Sequence, residues 1–578
     1  MPPLLFGAFA ALAVGLLTLG SLLAAGAAFV FVSAVCWLFQ PVMAANFADP
    51  WLLTAAALAI GGFVALFRAK GGSRRAQAAL LTVAMAGSSV LLLIGVGFFT
   101  TCSIFRADAY ASLLGRVETV SFEKAIQRLD TAGHVTASDR TVIDQDSVRL
   151  VDRGVATRKA QELIGKDPEF GGAYVHGTMQ LTARNGRLVW AAPLEFNGFF
   201  QWLHSDGSPA YVWVDAHDER LADLVKRVGG RPLRMRCLPS AFFGDNTDRL
   251  VWNRMPQVAT TDYSFELGPD GRPYYVVTAY NHLVGFGGSD ATGIIIVDPQ
   301  TCTTEWRWLD PLPAWVNRVV PAEFAMEQAA DWATLGGGWL NASWFGAHTD
   351  ITVPSSNAEL VRTTATGDTA WYVGLSTPGN MNGTTGFLLI DSRSKKAAYF
   401  TQAGATEEAA RVAIEGKIAQ MRGWTVTQPL LYNVEQTATY LAILKDAGGN
   451  FKGVGILPVE DRNLVVTADD LPGALKMYAQ ALAKRRLRAG AAAPSEPNFA
   501  LDATVLRKAS EVLDGNTVYW FAFEGNSGEV FSATNGIGPQ VALTQPGDTV
   551  HLTAHGHDGV FTVDSLVNPS VRPAADGK

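Results

Sequence analysis

The sequence predicts a membrane protein in two parts. Three or four N-terminal transmembrane helices precede a large α+β region of repeated antiparallel-sheet and helix modules, which ends in a small β-barrel. Residues 3–39 carry no charged side chain and are followed by two more apolar stretches. Three segments between residues 274 and 487 repeat one pattern of strands followed by a helix. Residues 499–578 contain short β-rich runs separated by turn residues.

The apolar stretches predict a transmembrane region at residues 1–102. A helix needs about 20 apolar residues to cross the hydrocarbon core of a bilayer. The stretches contain no Asp, Glu, Lys, Arg or His. Ionisable groups within a membrane usually mark ion or proton pathways, so their absence argues against a self-contained transporter. The stretches are residues 3–39, 51–67 and 78–100.

The length of the first stretch leaves two arrangements open. As a single helix, residues 3–39 would extend about 55 Å, well beyond a hydrocarbon core of roughly 30 Å. The stretch is therefore either one long tilted helix, which gives three spans, or a hairpin, which gives four. A hairpin would turn near Gly20 and Ser21 or near Gly26.

The loop at residues 68–75 determines the expected orientation. It carries four basic side chains and no acidic one, whereas the loop at residues 40–50 carries only Asp49. Short, positively charged loops stay in the cytoplasm, so everything after about Cys102 is expected outside. We predict a multi-pass protein of the cytoplasmic (inner) membrane with an extracytoplasmic C-terminal domain. The basic residues are Arg68, Lys70, Arg74 and Arg75.

The outer part of the chain is acidic, which limits its partners. The chain has a net charge of −7, and residues 1–100 hold four basic side chains and one acidic one, so the remainder carries −10. Binding of nucleic acid requires basic patches, and we exclude nucleic acid as a partner. The predicted partners are the membrane and another envelope protein or a cell-wall component. No cofactor is predicted.

Four parts are predicted beyond the membrane region. A juxtamembrane helical segment covers residues 103–170, and repeated α+β extracytoplasmic modules cover residues 171–488. A linker rich in Ala, Gly and Pro covers residues 489–498. Residues 499–578 carry a turn signal about every ten residues, which is typical of a small OB-like or SH3-like barrel.

The repeated modules share one pattern. Each contains apolar β-rich runs separated by polar turns, followed by a stretch with helical spacing of its apolar residues. Antiparallel strands with a helix on one face form an α+β layer. The β-rich runs are residues 274–278, 293–298 and 304–308, then 370–374, 386–391 and 397–401, then 439–444, 454–459 and 463–467. The helical stretches are residues 313–335, 406–421 and 470–487.

A strand ending in Asp, a turn and a second strand occur from Ile294 to Cys302 and again from Phe387 to Lys395. Followed by a helix, this pattern resembles the PepSY family of small extracytoplasmic domains. The resemblance covers about residues 145–488. It implies α+β modules on envelope proteins that inhibit proteases or mediate assembly, and it implies no catalytic residues.

Three histidines near the C-terminus are the candidate metal ligands. His551, His555 and His557 alternate along a predicted strand and would share one face, where imidazoles can bind a metal ion. The alternative is that residues 556–559 form the tip of a hairpin, where polar side chains are ordinary.

Polar residues after the predicted strand at residues 211–214 are candidates for acid–base catalysis or for a divalent ion. The same residues suit the end of a strand and the start of a helix, where acidic side chains are favoured by the helix dipole. We prefer this second explanation. The residues are Asp215, His217, Asp218 and Glu219.

Aromatic residues of the outer part define a possible binding surface for a sugar or a peptide. The alternative is that they fill the core, as Trp commonly does. The candidates are Phe199, Trp202, Trp306 and Trp308.

Two of the four cysteines, Cys237 and Cys302, lie in the outer part. An oxidising compartment would permit a disulfide between them, although pairing depends on geometry that the sequence leaves open. The spacing of the cysteines is unlike that of a zinc site.

These observations favour a membrane-anchored binding or scaffold protein of the cell envelope over an enzyme. One alternative is a hydrolase acting on envelope glycan or peptide, which would require a deep cleft where side chains such as His217, His204, Asp215 or Glu195 converge. Another is an accessory subunit of a membrane transport complex. No catalytic residue is assigned.

Overall fold

The computed structural model describes most of the chain, which forms two compact units. The first unit comprises residues 1–409 with 449–451, and the second comprises residues 410–448 with 452–578. The described residues are 2–121, 148–170, 172–184, 187–343, 345–362, 369–379, 383–434, 437–489, 499–513, 516–526, 528–534, 537–557 and 560–571.

The N-terminal region consists of apolar helices, as predicted. A short apolar helix comes first, and the three helices after it are long and apolar enough to cross a membrane. The helices are α1 (Pro2–Leu17), α2 (Leu22–Phe39), α3 (Asp49–Arg68) and α4 (Arg74–Thr101).

The first apolar stretch forms the hairpin rather than one long helix. Leu19 and Gly20 have positive φ angles of 55° and 80°, which reverse the chain. Ser21 then caps α2, because its side chain accepts a hydrogen bond from the Ala24 N–H. The turn therefore lies at one of the positions that the sequence left open.

Glycines allow these helices to approach closely. A Cβ atom on Gly7 of α1 would lie 2.1 Å from Ser33 Oγ of α2. A Cβ atom on Gly61 of α3 would lie 2.2 Å from Val14 Cγ1 of α1. Both distances are far below a van der Waals contact, so the absence of a side chain determines the spacing of the helices.

We expect Gly61→Leu to destabilise the helix bundle by about 2 kcal/mol, because the new side chain must displace Val14 or separate α3 from α1. Thermal unfolding of the purified protein in detergent micelles measures the effect. Gly87→Leu is the matched control, since a Cβ atom there meets nothing within 4 Å. Equal melting temperatures for the two variants would contradict the packing argument.

The segment after the membrane helices joins a distant sheet. Helix α5 (Ser103–Ala111) is followed by strand β1 (Val117–Ser121), which pairs in parallel with a strand at residues 397–405. Helix α6 (Arg153–Gly165) comes next. The predicted juxtamembrane helical segment therefore contains a strand, and its residues 122–147 lie outside the described part of the chain.

The first sheet of the α+β region has the order β2-β4-β5-β6, with β3 also paired to β4. Helix α6 packs Val155 and Ala160 against Trp190 and Val212 of this sheet. Its elements are β2 (Tyr174–His176), β3 (Gln180–Arg184), β4 (Arg187–Phe196), α7 (Phe199–His204), β5 (Tyr211–Asp215) and β6 (Ala222–Val225).

The next sheet is a meander with the order β12-β11-β10-β9. A small ribbon, a 3-10 turn and helix α8 precede it. These elements are β7 (Arg227–Val228), β8 (Arg231–Pro232), the turn (Phe243–Asp245), α8 (Thr247–Arg254), β9 (Ala259–Leu267), β10 (Pro273–Val284), β11 (Gly287–Asp298) and β12 (Thr303–Trp308).

The third sheet has the order β1-β17-β16-β15-β13, with β14 paired to β15. Strand β15 is buried along its whole length. The elements are α9 (Ala322–Leu335), α10 (Trp339–Ala342), β13 (Val353–Pro354), β14 (Glu359–Arg362), β15 (Thr369–Ser376), β16 (Gly383–Asp391), β17 (Ala397–Ala405) and α11 (Glu407–Lys417), the last of which continues into the second unit.

The second unit holds a fourth sheet and the barrel. The sheet has the order β18-β20-β21-β22, with β19 paired to β20. Apart from Ala489, the predicted linker at residues 489–498 lies outside the described residues. The elements of the sheet are β18 (Thr425–Val426), β19 (Leu430–Val434), β20 (Thr437–Lys445), β21 (Phe451–Pro458), β22 (Val466–Ala468) and α12 (Leu471–Ala489).

The predicted barrel is closed, with the order β23-β24-β25-β27-β26 and pairing between the first and last of these. The third and fifth strands run parallel and a short helix lies between the third and fourth, which is the strand order of an OB-fold. The elements are β23 (Phe499–Leu513), β24 (Asn516–Phe523), β25 (Val530–Thr534), α13 (Gln540–Leu543), β26 (Thr549–His557) and β27 (Val560–Val567).

Candidate binding site

Helix α8 attaches the α+β part of the first unit to the membrane helices. The Trp252 indole N–H donates to the Pro41 carbonyl at 2.8 Å, and its ring packs into the apolar core of the helix bundle. Arg249 donates to the Trp37 carbonyl at 2.9 Å and its guanidinium lies 4.7 Å from the centre of the Trp37 ring. Trp37 belongs to the last turn of α2, so α8 lies at that end of the bundle.

The hairpin between β10 and β11 makes a second attachment. The Phe286 N–H donates to Thr101 Oγ1 at 2.9 Å. Gly285, at a φ of 62°, approaches so closely that a Cβ atom would lie 2.5 Å from the same hydroxyl oxygen. Both attachments involve the helix ends opposite the basic loop at residues 68–75, because that loop joins the other ends of α3 and α4.

An aromatic surface lies beside α8, and we define it by the side chains of α7 and of the 3-10 turn that touch one another. The Phe199 ring centre is 5.6 Å from that of Trp202 and 5.2 Å from that of Phe242. The Trp202 and Phe243 ring centres are 5.8 Å apart. Phe199, Phe200 and Phe243 are exposed, and Trp202 is half-buried. The aromatic surface comprises Phe199, Phe200, Trp202, Phe242 and Phe243.

A pocket of about 320 Å³ adjoins the aromatic surface. Its wall combines an aromatic ring with charged groups. Arg236 donates to Asp245 at 3.3 Å, and Asp206 accepts from Arg234 at 3.1 Å. Such a mixture of apolar and polar groups suits an uncharged or zwitterionic ligand that stacks on a ring and hydrogen-bonds at its edge. The lining residues are Phe196, Trp202, Leu203, Ser205, Asp206, Gly207, Arg236 and Asp245.

A disulfide between Cys237 and Cys302 supports the pocket. Their Cα atoms are 5.6 Å apart, and the N–H groups of Arg236 and Cys237 both donate to the Pro299 carbonyl. The turn between β11 and β12 therefore holds the strand-like segment that carries Arg236. A carboxylate oxygen of Asp245 lies within 4.8 Å of both sulfur atoms, but sulfurs joined in a disulfide are not the thiolates that bind metal ions.

The other two predicted surface residues form a separate pair. Trp306 and Trp308 lie on the edge strand β12 with ring centres 5.3 Å apart. Trp308 is exposed, whereas Trp306 packs on the same core as Trp202. The structure thus brings Phe199 to Trp202 and Trp306 to Trp308. Trp202 and Trp306 pack against the same buried core.

The residues proposed for a hydrolase do not converge. Asp215 pairs with Val189 in the β4–β5 register, whereas Glu195 lies six residues farther along β4, about 20 Å away at 3.3 Å per residue. The His217 ring is hydrogen-bonded to the Val148 carbonyl. The His204 ring is hydrogen-bonded to the Phe200 carbonyl within its own helix. Burial raises the pKa of Glu195, and a hydrogen bond from Ser240 partly opposes that shift.

Only the strand-end part of the preferred explanation for Asp215 is confirmed, because residues 216–221 form a turn that leads into β6 and not the expected helix. Asp215 is buried at the end of β5, and its Oδ1 accepts the N–H groups of His217 and Asp218 at 2.8 and 3.1 Å. This is an Asx turn that closes the strand. Asp218 pairs with Arg220, and this hydrogen bond lowers the pKa of the Asp218 carboxyl. Glu219 is half-buried in the turn that follows.

The candidate metal ligands all lie on β26. His551 is exposed on the outer face of the barrel. Its Nδ1 is hydrogen-bonded to Asp502, the residue opposite it on the paired strand β23. Val550, Leu552 and Ala554 face the barrel core. The side chains of His555 and His557 lie outside the part of the chain that the structure describes.

The sequence argument missed several residues of the site, namely Phe200, Phe242, Phe243, Arg236 and Asp245. A signal was present in two adjacent pairs of phenylalanines, at 199–200 and at 242–243. Paired aromatics in polar surroundings outside a regular strand are candidates for an exposed surface. No protein-family model matches the chain, and no curated protein has a significantly similar sequence.

Proposed function

We propose that this chain is a membrane-anchored binding or scaffold protein of the cell envelope. Its large domain faces the outside of the cytoplasmic membrane and binds another envelope protein or a cell-wall component at the pocket beside the aromatic surface. The observation that carries this proposal is the pocket itself, where Trp202 and Arg236 share one wall on a disulfide-linked support. Aromatic and arginine side chains in such positions supply much of the affinity at protein-binding sites.

The orientation in this proposal rests on charge and geometry together. The basic loop at residues 68–75 favours the cytoplasm. The α+β part of the first unit contacts the opposite ends of the membrane helices, at Trp37 and Thr101. A domain attached there lies across the membrane from the basic loop. The disulfide between Cys237 and Cys302 is compatible with an oxidising compartment.

We expect Trp202→Ala and Arg236→Ala each to reduce ligand recovery about tenfold or more, because each removes a principal contact from the pocket wall. The full chain is cross-linked in its native membranes, purified by affinity, and its companions are identified by mass spectrometry. The purified protein is then titrated with envelope glycans and peptides.

Arg220→Ala is the matched control, because Arg220 is also a surface arginine paired with an aspartate but lies outside the pocket. It should retain wild-type recovery. Equal recovery of every companion and ligand by all three variants would show that the pocket is not the binding site.

A further inference from the structure

Exposed apolar side chains of the first unit are concentrated near the membrane helices. Among the described residues of the first unit beyond α5, most large apolar side chains that are more than half exposed lie next to elements that contact those helices. Exposed apolar groups of this kind usually mark an interaction surface. The exposed fractions are 74% for Phe200, 55% for Phe243, 66% for Leu340 and 65% for Phe345.

The first apolar group consists of Phe200 and Phe243 on the aromatic surface. Phe243 precedes the start of α8 by four residues and Arg249 by six. At most about 15 Å of chain separates Phe243 from Arg249, and Arg249 touches Trp37 in the last turn of α2. Phe200 belongs to α7, whose Phe199 and Trp202 rings contact the Phe243 ring. This group therefore lies beside the end of α2.

The second apolar group consists of Leu340 and Phe345, on and just after α10. Helix α10 packs against α5, which directly follows α4. The Phe105 ring of α5 lies 5.7 Å from the Phe98 ring and 5.4 Å from the Phe99 ring of α4. An aromatic cluster thus continues from the last turns of a membrane helix onto α5, and the second group flanks it.

We propose that these two apolar groups enter the headgroup and acyl-chain boundary of the adjacent leaflet, so that the domain rests on the bilayer at two places. Aromatic side chains at the ends of transmembrane helices lie at this depth, and apolar side chains of interfacial helices penetrate about 5–10 Å below the headgroups. Both groups continue the contact between the domain and the helix ends, where the lipid of the same membrane is the immediate neighbour.

Basic residues around the first group fit lipid phosphates. Arg234 has an exposed guanidinium group near the aromatic surface, although it is paired with Asp206. Arg254, at the end of α8, is exposed as well. Long basic side chains beside buried aromatics extend toward the headgroup region. Aromatic rings flanked by cations are complementary to a lipid surface, where apolar acyl chains lie beneath anionic phosphates.

Quenching by spin-labelled lipid tests the proposal in the full-length chain. Cys36→Ala and Cys102→Ser remove the free thiols and leave the Cys237–Cys302 disulfide intact. Single cysteines replace Phe200, Phe243 or Phe345, carry a bimane label, and are studied in nanodiscs that hold one protein copy. Leu340→Cys replaces the last of these if Phe345→Cys does not fold. Retained elution volume and an intact disulfide verify folding.

Trp308→Cys is the matched control, because Trp308 is exposed but pairs with Gly293, six residues from the end of β11 that contacts the membrane helices. Lipid with a doxyl group near the headgroup should quench labels at positions 200, 243 and 345 at least about threefold more than the label at 308. Equal quenching at all positions would overturn the proposal. Labels shielded from aqueous iodide but not quenched by the lipid would also overturn it, since a protein would then cover them.

Discussion

Replacing both Cys237 and Cys302 by alanine should lower the free energy of unfolding of the first unit by about 4 kcal/mol. The disulfide joins residues 65 positions apart, and its loss lets the unfolded chain explore many more conformations. Cys237 is fully buried in the core that also contains Leu238 and Val251. Helix α8 begins ten residues after Cys237, and its Val251 packs in the same core, so the same change should loosen the attachment to the membrane helices.

Thermal unfolding of the full chain in detergent micelles, followed by near-ultraviolet circular dichroism, measures this effect. For a unit of about 410 residues the expected decrease of the melting temperature is about 5 °C. Cys102→Ser is the control for loss of a thiol, because Cys102 is unpaired between α4 and α5, and it should melt like the wild type. A double variant that also melts like the wild type would show that packing alone fixes the pocket.

The helices of the repeated modules illustrate what the sequence determines locally. The predicted helix at residues 313–335 begins only at Ala322, because Pro313 and Pro321 interrupt its first part. Helices α11 and α12 lie within a few residues of their predicted ranges. The spacing of apolar residues therefore located these helices. Proline explains why the first helix begins nine residues later than predicted.

Pairings between distant parts of the chain could not be predicted. Strand β1 has five residues and pairs with β17, about 280 residues later. Five residues are too few to show a clear alternation of apolar and polar side chains. The pairing of β1 depends on where α5 positions the chain after the membrane helices. The aromatic surface also depends on contacts between residues that are far apart in the sequence. Trp202 and Phe243 meet because the segment before α8 folds back onto α7, a contact that no local pattern encodes.

The barrel shows the opposite case. Except between β25 and β26, where α13 intervenes, its strands are only a few residues apart, so the spacing of β-rich runs was sufficient to predict its class. Closure adds the pairing of β23 with β26 and the parallel pairing of β25 with β27. The interior rings of Phe521 and Phe523 are separated by the half-buried Ala522, as the two-residue period of a strand requires.

The carboxyl group of Glu266 should make the stability of the first unit depend on pH. Glu266 is completely buried on β9. Its oxygens accept the backbone N–H groups of Asn317 and Arg318 at 2.7 and 3.0 Å, and the hydroxyl of Ser264 at 3.1 Å. Burial raises the pKa of Glu266 from 4.5 to about 7, and these hydrogen bonds offset only part of that shift.

The folded state therefore holds a proton that the unfolded state releases from about pH 4.5 upward. Stability from this group is fully present below pH 4.5 and is lost as the pH rises through about 7. A shift of this size corresponds to about 3 kcal/mol. Glu266→Gln removes the titration. The variant also loses a hydrogen bond, because a carboxamide can accept at only one of its two terminal atoms, and this cost does not depend on pH.

Chemical unfolding of the full chain between pH 4.5 and about 8 separates the two effects. The free energy of unfolding of the wild type, relative to that of Glu266→Gln, should fall by about 3 kcal/mol as the pH rises. Glu305→Gln is the control, because Glu305 is exposed on the edge strand β12, and its difference from the wild type should stay constant. A Glu266→Gln difference that does not change with pH would mean that the buried carboxyl is already ionised at acid pH, held by its three donors against the cost of burial.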